Sequence, residues 1–333
     1  PLCSLEEMYL TQKVMNGIGS DNVDSRLRNQ DFSLDGKRIG VPWLGMPVAA
    51  LSTLDSVLIV GSNLRKDHPL LAQRLRQAQK RGGHIARVNA MRDDWLIPIS
   101  AELISPPDSM VSSLASVVSS LCSKTGVAVA AHCSELIAGL DVGPAAQAVA
   151  DSLLRGEKRS VLIGNFALHH PDSSSLQVLA AEIARLSGAT FGFLGDSAGF
   201  VSTYFTRTSR HEGLNAQSML ASPRKAYVLV GVEPEFDCAN GVAALNAIRQ
   251  AASVIYLGSF EGNAHDYADV MLPISPFTET SGTFVNIEGR PQSFQAVAKP
   301  IENTRPAWKV LRVLGNLLGL DGFDYESSEQ VRD

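Results

Sequence analysis

The stretch that decides the fold runs from His265 to Arg290, HDYADVMLPISPFTETSGTFVNIEGR. It opens with the apolar run ADVMLP, which predicts a short buried strand that ends at Pro273. The carboxylate Glu279, the glycines Gly282 and Gly289, and the turn sequence Asn-Ile-Glu-Gly-Arg follow in that order. Each piece alone is common in ordinary loops. Their fixed order is what makes the stretch informative.

Structural roles are expected for the polar and glycine positions of this stretch. Gly282 and Gly289 should lie at turns that need a positive φ or a close backbone approach. Asn286 can replace a backbone group in the turn. Arg290 can either fork onto a carboxylate such as Glu279 or remain solvated. None of these residues needs to be catalytic.

Composition indicates a chain with two cores and excludes some classes of partner. The 333 residues, 45% of them hydrophobic and 19% charged, suffice for two domains of usual size. The formal charge of -5 and the scattered basic residues argue against nucleic acid as a partner. The longest apolar runs, such as residues 226–232, fall short of the roughly 20 residues of a membrane-spanning helix. We therefore expect no direct membrane insertion.

The cysteines and paired histidines do not predict a metal site. Neither a CxxC pair nor a disulfide framework is present, so reduced thiols are expected. His169 with His170, and His132 with Cys133, lack a third ligand at usable spacing, so surface or helix-capping histidines are expected. The four cysteines are spread along the chain: Cys3, Cys122, Cys133 and Cys238.

A strand–helix–strand pattern begins at Asp55. DSVLIVGSN predicts a buried strand with a glycine turn, PLLAQRLRQAQKRG an amphipathic helix, and HIARVNA a second strand. Any ligand of such a unit is expected at the carboxyl ends of the strands, here the loop 61–68. The pattern returns at 160–186 and at 226–258. These repeats predict an α/β protein with two Rossmann-like lobes, mainly parallel sheets and helices on both sheet faces.

The two ends of the chain have helical patterns. Residues 6–15 predict a helix that leads into an irregular loop, and residues 306–320 predict a closing amphipathic helix. The acidic tail after Gly322 is expected to be loose.

Two common enzyme motifs are disfavoured. The turn GSNLRKDHP lacks the second and third glycines of a dinucleotide fingerprint, and no phosphate-binding P-loop is present. Around Ser197, GDSAG matches the letters of a nucleophile elbow. That motif requires a helix directly after it, whereas the β-branched sequence VSTYFTRTS favours a strand. A hydrolase is therefore not expected.

Three stretches carry a resemblance to a known family: residues 3–28, 55–85 and 267–292 occur in the order found in the molybdopterin-dependent oxidoreductase superfamily. The chain is most similar to the large iron–sulfur subunits of the proton-pumping NADH:quinone oxidoreductase, complex I, with EGRPQ followed by PAWKVLRVLGNLLG as the most specific match. The resemblance implies a formate dehydrogenase-like fold. It further implies a discontinuous first lobe, residues 1–50 plus 190–333, and an inserted second lobe, residues 51–189.

Departures from the catalytic members bear on the cofactor. Those relatives present cysteine, selenocysteine or serine to molybdenum in the loop after an NNVD-type motif. Here NVDSRLRNQDFSLDGKRIGVPW contains no cysteine, and Ser25 and Ser33 lack the V-C-H-G-like setting. Because molybdenum needs a soft thiolate or an equivalent anionic ligand beside the pterin, molybdopterin and metal are not expected in this chain. The resemblance places the iron–sulfur clusters in a separate amino-terminal portion of the subunit.

A remnant of the cofactor pocket is expected on the loops after the strands. Acidic side chains in one of these loops would repel a diphosphate, although an aspartate can receive a guanine amine in catalytic relatives. The remnant-pocket candidates are Gly61, Asn63, Gly231, Glu233, Asp237 and Gly258.

The resemblance leaves three functional hypotheses. In the favoured one, the chain is a fragment of the large peripheral-arm subunit of complex I and acts as a scaffold for neighbouring subunits, with no catalytic residue of its own. Its location would be the cytoplasmic face of the bacterial inner membrane, or the matrix side in mitochondria. The alternative is an active molybdopterin-dependent oxidoreductase of the formate dehydrogenase type. In a third hypothesis the remnant pocket binds another nucleotide and regulates assembly.

Overall fold

The computed structural model describes residues 3–37, 40–208 and 213–333. It confirms the α/β class and the predominance of parallel sheets. The strands are β1 (Ser56–Val60), β2 (His84–Asn89), β3 (Ala101–Ile104), β4 (Arg159–Ile163), β5 (Thr190–Phe193), β6 (Ala226–Val230), β7 (Ser253–Gly258), β8 (Val270–Pro273), β9 (Gly282–Val285) and β10 (Pro291–Phe294).

Helices alternate with most of these strands, and short 3-10 turns lie between them. The α-helices are α1 (Leu5–Gly17), α2 (Leu64–Asp67), α3 (Pro69–Lys80), α4 (Met110–Thr125), α5 (Ser134–Ile137), α6 (Pro144–Leu153), α7 (Asn165–Leu168), α8 (Ser173–Ser187), α9 (Phe200–Phe205), α10 (Ala216–Ala221), α11 (Pro234–Asp237), α12 (Gly241–Ile248), α13 (Ala307–Leu317) and α14 (Ser328–Arg332). The 3-10 helices are Val48–Thr53, Pro107–Ser109, Ala131–Cys133, Ala264–Asp266 and Phe277–Glu279.

The chain divides into two compact units. Unit 1 comprises residues 1–29, 35–41 and 197–333, and unit 2 comprises residues 30–34 and 42–196. Unit 1 contains β6 to β10, and unit 2 contains β1 to β5.

Unit 2 is built on a five-stranded parallel sheet in the order β3-β2-β1-β4-β5. The central strand β1 pairs with β2 on one side and β4 on the other, so that Leu58 lies between Ala86 and Val161. All five residues of β1 are buried, and since successive side chains point to opposite faces, both sheet faces are covered. Strand β3 was not predicted, because its four residues, AELI, are only half-buried and carry a glutamate.

Unit 1 contains a three-stranded parallel sheet in the order β6-β7-β8 and an antiparallel hairpin of β9 and β10. The strand predicted at ADVMLP forms as β8, but the prediction that it is buried is wrong. β8 lies at the sheet edge, and Val270 is 46% exposed. Pro273, which has no N–H group to donate to a ladder, is compatible with that edge position.

The turn between β9 and β10 confirms the predicted role of Asn286. Its side-chain Oδ1 accepts hydrogen bonds from the backbone N–H groups of Glu288, at 3.1 Å, and Arg290, at 2.9 Å. Gly289 has a φ of +83°, the left-handed region that a glycine adopts without strain. Gly282 approaches α1 closely, because a Cβ there would lie 2.8 Å from the Cβ of Ser4.

Of the two alternatives for Arg290, the structure favours the solvated arginine over a fork onto Glu279. The Arg290 guanidinium, 69% exposed, lies 3.3 Å from the Glu288 carboxylate instead. Glu279 is buried and accepts a hydrogen bond from the backbone N–H of Ile301 at 3.1 Å. The tight turn directs the arginine towards solvent, where Glu288, two residues earlier, is the available partner.

Two buried carboxylates hold the amino end of α1. Glu7 forms a capping box with Ser4, in which the Ser4 N–H donates to Glu7 Oε2 at 2.8 Å. Glu6 Oε2 accepts a hydrogen bond from the N–H of Thr283 in β9 at 2.9 Å. Burial raises the pKa of Glu7 to about 7, aided by the charge of Glu6 and opposed by the hydrogen bonds of Ser4.

The tail after Gly322 is ordered, and the prediction that it is loose is wrong. Phe323 is 1% exposed and belongs to the core cluster that contains Trp308 and Leu311 of α13. Val331 of α14 is buried in the same cluster. The acidic residues of the tail indicated solvent exposure, but burial of one aromatic ring outweighs that preference.

Glu7→Gln should change how stability depends on pH. A carboxyl whose pKa is raised on folding stabilises the protein fully below its unfolded value of 4.5, and this contribution is lost as the pH rises through about 7. Glutamine can still complete the capping box but does not titrate. From about pH 5 to about pH 8 the wild type should therefore lose on the order of 2–3 kcal/mol relative to the variant in urea unfolding. Parallel curves for the two proteins would contradict this, and the exposed Glu326→Gln is the control.

Phe323→Ala should destabilise the protein by about 3–5 kcal/mol, because it leaves a cavity in the core beneath α13. The matched control is Phe277→Ala, since Phe277 is 72% exposed in the same unit and should change stability by less than about 0.5 kcal/mol. Urea unfolding at neutral pH measures both. Equal small effects of the two substitutions would show that the tail does not belong to the core.

Candidate functional site

The carboxyl edge of the sheet in unit 2 is the first candidate site. Strand order reverses between β1 and β4, and the loops after these two strands, 61–68 and 164–170, lie at this switch point. Ligands of open α/β sheets bind at such a point. We refer to Ser62, His68, Asn165, His169 and Asp196, which lie in or beside these loops, as the switch-point cluster.

Two glycines let these loops interlock. Gly61 has a φ of +60°, and a Cβ there would lie 2.6 Å from the backbone nitrogen of Ala167. The N–H of Phe166 donates to the Gly61 carbonyl at 2.9 Å. A Cβ at Gly164 would lie 2.5 Å from the Cβ of Ser62. Any larger residue at either glycine would push the loops apart.

Three buried polar atoms of the cluster lack a hydrogen-bond partner among the described residues. They are Ser62 Oγ, His68 Nε2 and Asn165 Oδ1. Unpaired buried polar atoms are costly and mark places where water or a polar ligand binds. By contrast, the backbone carbonyl of Ser62 accepts a hydrogen bond from Asn89 Nδ2 at 3.0 Å. The side chain of Asn63, a predicted pocket residue, does not cap α2, and its carbonyl accepts from that helix.

The surroundings shift the pKa values of two members of the cluster, His68 and Asp196. Burial lowers the pKa of His68, against the opposing charges of Asp67 and Asp196, so His68 is neutral at pH 7. Nε2 of His169 lies 3.1 Å from Asp196 Oδ2. Burial alone would raise the pKa of Asp196, but its hydrogen bond with His169 and the charge of that histidine lower it.

Of the two roles predicted for the histidines, surface or helix-capping, the surface role is wrong for His170, which is buried at the start of α8. Its Nδ1 accepts a hydrogen bond from the N–H of Asp172 at 2.9 Å, and its Nε2 lies 2.9 Å from the carbonyl of Pro107. This arrangement needs the neutral tautomer with the proton on Nε2. His170 therefore fixes the turn before α8. Among the described residues, no three His, Cys, Asp or Glu side chains are grouped to hold a metal ion.

The remaining pocket candidates lie at the carboxyl edge of the sheet in unit 1. Gly231 follows β6 with a φ of +59°, and Gly258 ends β7 beneath the ring of Tyr256. Glu233 is the N-cap of α11, and its N–H donates to Asp237 Oδ2 at 2.9 Å. The candidates thus fall into two groups, Gly61 and Asn63 in unit 2 and the other four in unit 1.

The edge in unit 1 does not fit a diphosphate. Burial raises the pKa of the Tyr256 hydroxyl, and the carboxylates of Glu233, Glu235 and Asp237 raise it further. Their negative field would oppose a second anion. Glu235 Oε1 also accepts a hydrogen bond from Asn263 Nδ2 at 3.1 Å, which ties the segment after β6 to the loop after β7.

The loop expected to carry a metal ligand is tied by its own ion pairs. The Arg26 guanidinium bridges Asp24, at 2.9 Å, and Asp35. The N–H of Ser25 donates to the Thr208 carbonyl at 3.1 Å. In the same unit, burial raises the pKa of Cys3 to about 12, so its sulfur stays protonated at neutral pH. These residues do not offer the soft anionic ligand that molybdenum needs.

Around Ser197 the structure corrects one step of the sequence interpretation. The segment after Gly199 forms the helix α9, not a strand. Its β-branched hydroxyl residues are accommodated because Thr203 and Thr206 donate to carbonyls one turn back, those of Phe200 and Ser202. Residues 194–199 nevertheless separate β5 from α9, whereas a nucleophile elbow joins strand and helix by one sharp turn.

Ser62 and Asn165 were missed by sequence analysis. Both follow directly on a glycine that ends a buried strand, in VGSN and IGNF. The shared pattern of a strand, a glycine and a small polar residue was the available signal.

Comparison with known proteins identifies the fold family. The sequence model of the molybdopterin oxidoreductase family matches residues 1–317. The 75 kDa subunit of NADH-ubiquinone oxidoreductase from Reclinomonas americana is 21% identical over 99% of this chain and 45% of the relative. A Bacillus subtilis protein named as a probable oxidoreductase, YjgC, is 26% identical over 99% of this chain and 40% of the relative. The chain thus spans less than half the length of these curated relatives.

A solved structure supports the same fold. The formyltransferase/hydrolase complex of Methylorubrum extorquens contains a chain that superposes with a TM-score of 0.65 at 15% identity, covering 95% of this chain and 89% of that one. The described residues include no helix of the length and hydrophobicity needed to cross a bilayer.

His68→Gln should weaken the loss of stability at acidic pH. Because the folded pKa of His68 is depressed, its neutral form stabilises unit 2 above about pH 6.5, and this contribution is lost as the pH falls through the folded pKa. The wild type should therefore lose more stability than the variant between about pH 7.5 and about pH 5.5 in urea unfolding. His132→Gln, an exposed position in the same unit, is the control. An unchanged pH dependence in His68→Gln would contradict the buried, neutral state.

Proposed function

The chain belongs to the molybdopterin oxidoreductase family, and from this premise we propose that it forms part of the large peripheral-arm subunit of a proton-pumping NADH:quinone oxidoreductase. There it acts as a scaffold in electron transfer from NADH to quinone, without a catalytic site or a bound molybdopterin of its own. The observation that carries the proposal is the match of 99% of the chain to a 75 kDa subunit of that enzyme.

The two sheet edges and the Arg26 loop support a scaffold role. Carboxylates at Glu233, Glu235 and Asp237 oppose a diphosphate in unit 1. The loop that would present a metal ligand is held by Arg26 in ion pairs with aspartates. A fold that retains its packing but has lost charge complementarity to a cofactor can still dock neighbouring proteins.

Partners and location follow from the proposed complex. The partners are other subunits of the peripheral arm, and the iron–sulfur clusters lie in an amino-terminal portion of the same subunit. The location is the cytoplasmic face of the bacterial inner membrane, or the matrix side in mitochondria. Other subunits of the complex would attach it to the membrane.

An active molybdopterin-dependent oxidoreductase of the formate dehydrogenase type is the second candidate. It is favoured by the Bacillus relative, whose name describes an oxidoreductase, and by the unpaired buried atoms of unit 2. Ser62, His68 and Asn165 would hydrogen-bond to the polar groups of a pterin nucleotide there. When bound, such a cofactor would supply the redox chemistry. Another nucleotide that regulates assembly is the third candidate, and equilibrium dialysis against GTP and NADH tests it.

Protein produced in cells supplied with molybdate should contain neither molybdenum nor pterin in near-stoichiometric amount, because the unit 1 edge repels a diphosphate. Elemental analysis measures the metal, with tungsten included, and fluorescence of the oxidised pterin measures the cofactor. A formate dehydrogenase produced in the same cells must be loaded, as a positive control. Near-stoichiometric molybdenum, tungsten or pterin in this chain would contradict the scaffold and favour the second candidate.

A further inference from the structure

A cavity of about 540 Å³ opens at the amino edge of the sheet in unit 2, at the opposite ends of the strands from the switch-point cluster. Its walls come from residues 52–55 before β1, residues 81–84 between α3 and β2, and residues 155–157 before β4. Neither the scaffold role nor a pterin or other nucleotide at the carboxyl edges involves this edge.

A hydrogen-bonded turn forms one side of the cavity. Oδ2 of Asp55 accepts hydrogen bonds from the N–H groups of Glu157, at 2.8 Å, and Lys158, at 2.9 Å. Gly156 packs against the same side chain, since a Cβ there would lie 2.2 Å from the Cβ of Asp55. The carboxylate of Asp55 is therefore committed to holding the turn 155–158 in place.

Two guanidinium groups in the cavity wall have spare hydrogen-bonding capacity. Arg81 donates one hydrogen bond, to the carbonyl of Ser52 at 3.2 Å. Within the described part of the chain, neither Arg81 nor Arg155 forms an ion pair, although both line the same cavity. A guanidinium presents five N–H donors in a planar fork that matches a carboxylate.

The surroundings of the cavity add positive charge. Lys80 and Lys158 flank the two arginines and are exposed, so four cationic side chains outnumber the two carboxylates of the cavity lining, Asp55 and Glu157. Helix α3, which ends at the cavity, carries Arg74 and Arg76 and contains no acidic residue. The nearest acidic residue before it is Asp67, in α2. This basic edge contrasts with the net charge of -5 for the whole chain. The dipole at the C-terminus of α3 would favour one nearby cation, but it does not explain a group of cations around an open cavity.

We propose that this cavity docks an acidic segment of a partner polypeptide, whose carboxylates pair with Arg81 and Arg155. The inference rests on the proposed function, because a multisubunit complex would supply the partner. A polypeptide is favoured over a membrane since the apolar wall residues Leu54 and Ala78 are buried and have no surface to insert into lipid. The cavity wall contains no aromatic side chain on which a nucleic-acid base could stack.

The test uses a short fluorescent peptide that alternates glutamate with glycine, and measures its binding to the whole chain by fluorescence anisotropy at physiological salt. The double variant Arg81→Glu, Arg155→Glu should weaken binding by at least about tenfold. The milder Arg81→Gln, Arg155→Gln should weaken it by a smaller factor. The matched control, Lys225→Glu with Lys299→Glu, makes the same charge change at exposed positions of unit 1 and should alter affinity by less than about twofold.

Each result decides the proposal. Failure of the wild type to bind the peptide overturns it, as does an equal loss in the control pair, which would show attraction to net charge alone. Binding of phosphatidylglycerol vesicles or a single-stranded oligonucleotide with the same dependence on Arg81 and Arg155 overturns the assignment to a polypeptide. If the double variant loses binding only because it is unfolded, which a lowered unfolding temperature would show, the two arginines serve the fold and the proposal is overturned. Discovery of a bound molybdopterin would overturn the scaffold function but would not change any of these binding results.

Discussion

The backbone ladder that joins β1 to β2 on one side and β4 on the other is the interaction on which unit 2 depends. It buries all of β1 and aligns three parallel strands, so the residues at their ends are brought together without being close in sequence. At the carboxyl ends this alignment interlocks the loops at Gly61 and Gly164. At the amino ends it places the turn held by Asp55 beside the end of α3. One ladder thus creates both the switch-point cluster and the basic cavity.

Unit 1 depends on carboxylates in a different way. Glu6 and Glu7 are buried at the start of α1, where a backbone N–H group from β9 and a capping box compensate them. Glu233 and Asp237 lie after β6, where Asp237 accepts a hydrogen bond from the Glu233 N–H and both carboxylates contribute to a negative field. In the first place the carboxyl groups hold the fold through hydrogen bonds, and in the second their negative charge opposes an anionic ligand. The same type of residue therefore supports the packing in one place and disfavours an anionic ligand in another.

Local patterns predicted much of the fold. Apolar runs followed by glycine located β1, β4, β6 and β7, and the turn residues Asn286 and Gly289 have the predicted roles. The predictions were wrong where they concerned which residues are buried. Val270 lies in a strand at the sheet edge, Phe323 is buried in an acidic tail, and His170 is buried beside a proline carbonyl. An apolar run does not reveal how many strands will flank it, and a single aromatic residue does not reveal what it will pack against.

The sequence by itself determined the α/β class, the positions of most strands and the resemblance to a redox family, because these follow from periodicity, turn chemistry and motif order within short segments. Only the tertiary structure decided that Ser62, His68 and Asn165 have buried atoms without partners among the described residues, and that Arg81 and Arg155 line one cavity. Whether a polar atom is paired depends on neighbours contributed by distant segments. That information enters only when the strands take their order in the sheet.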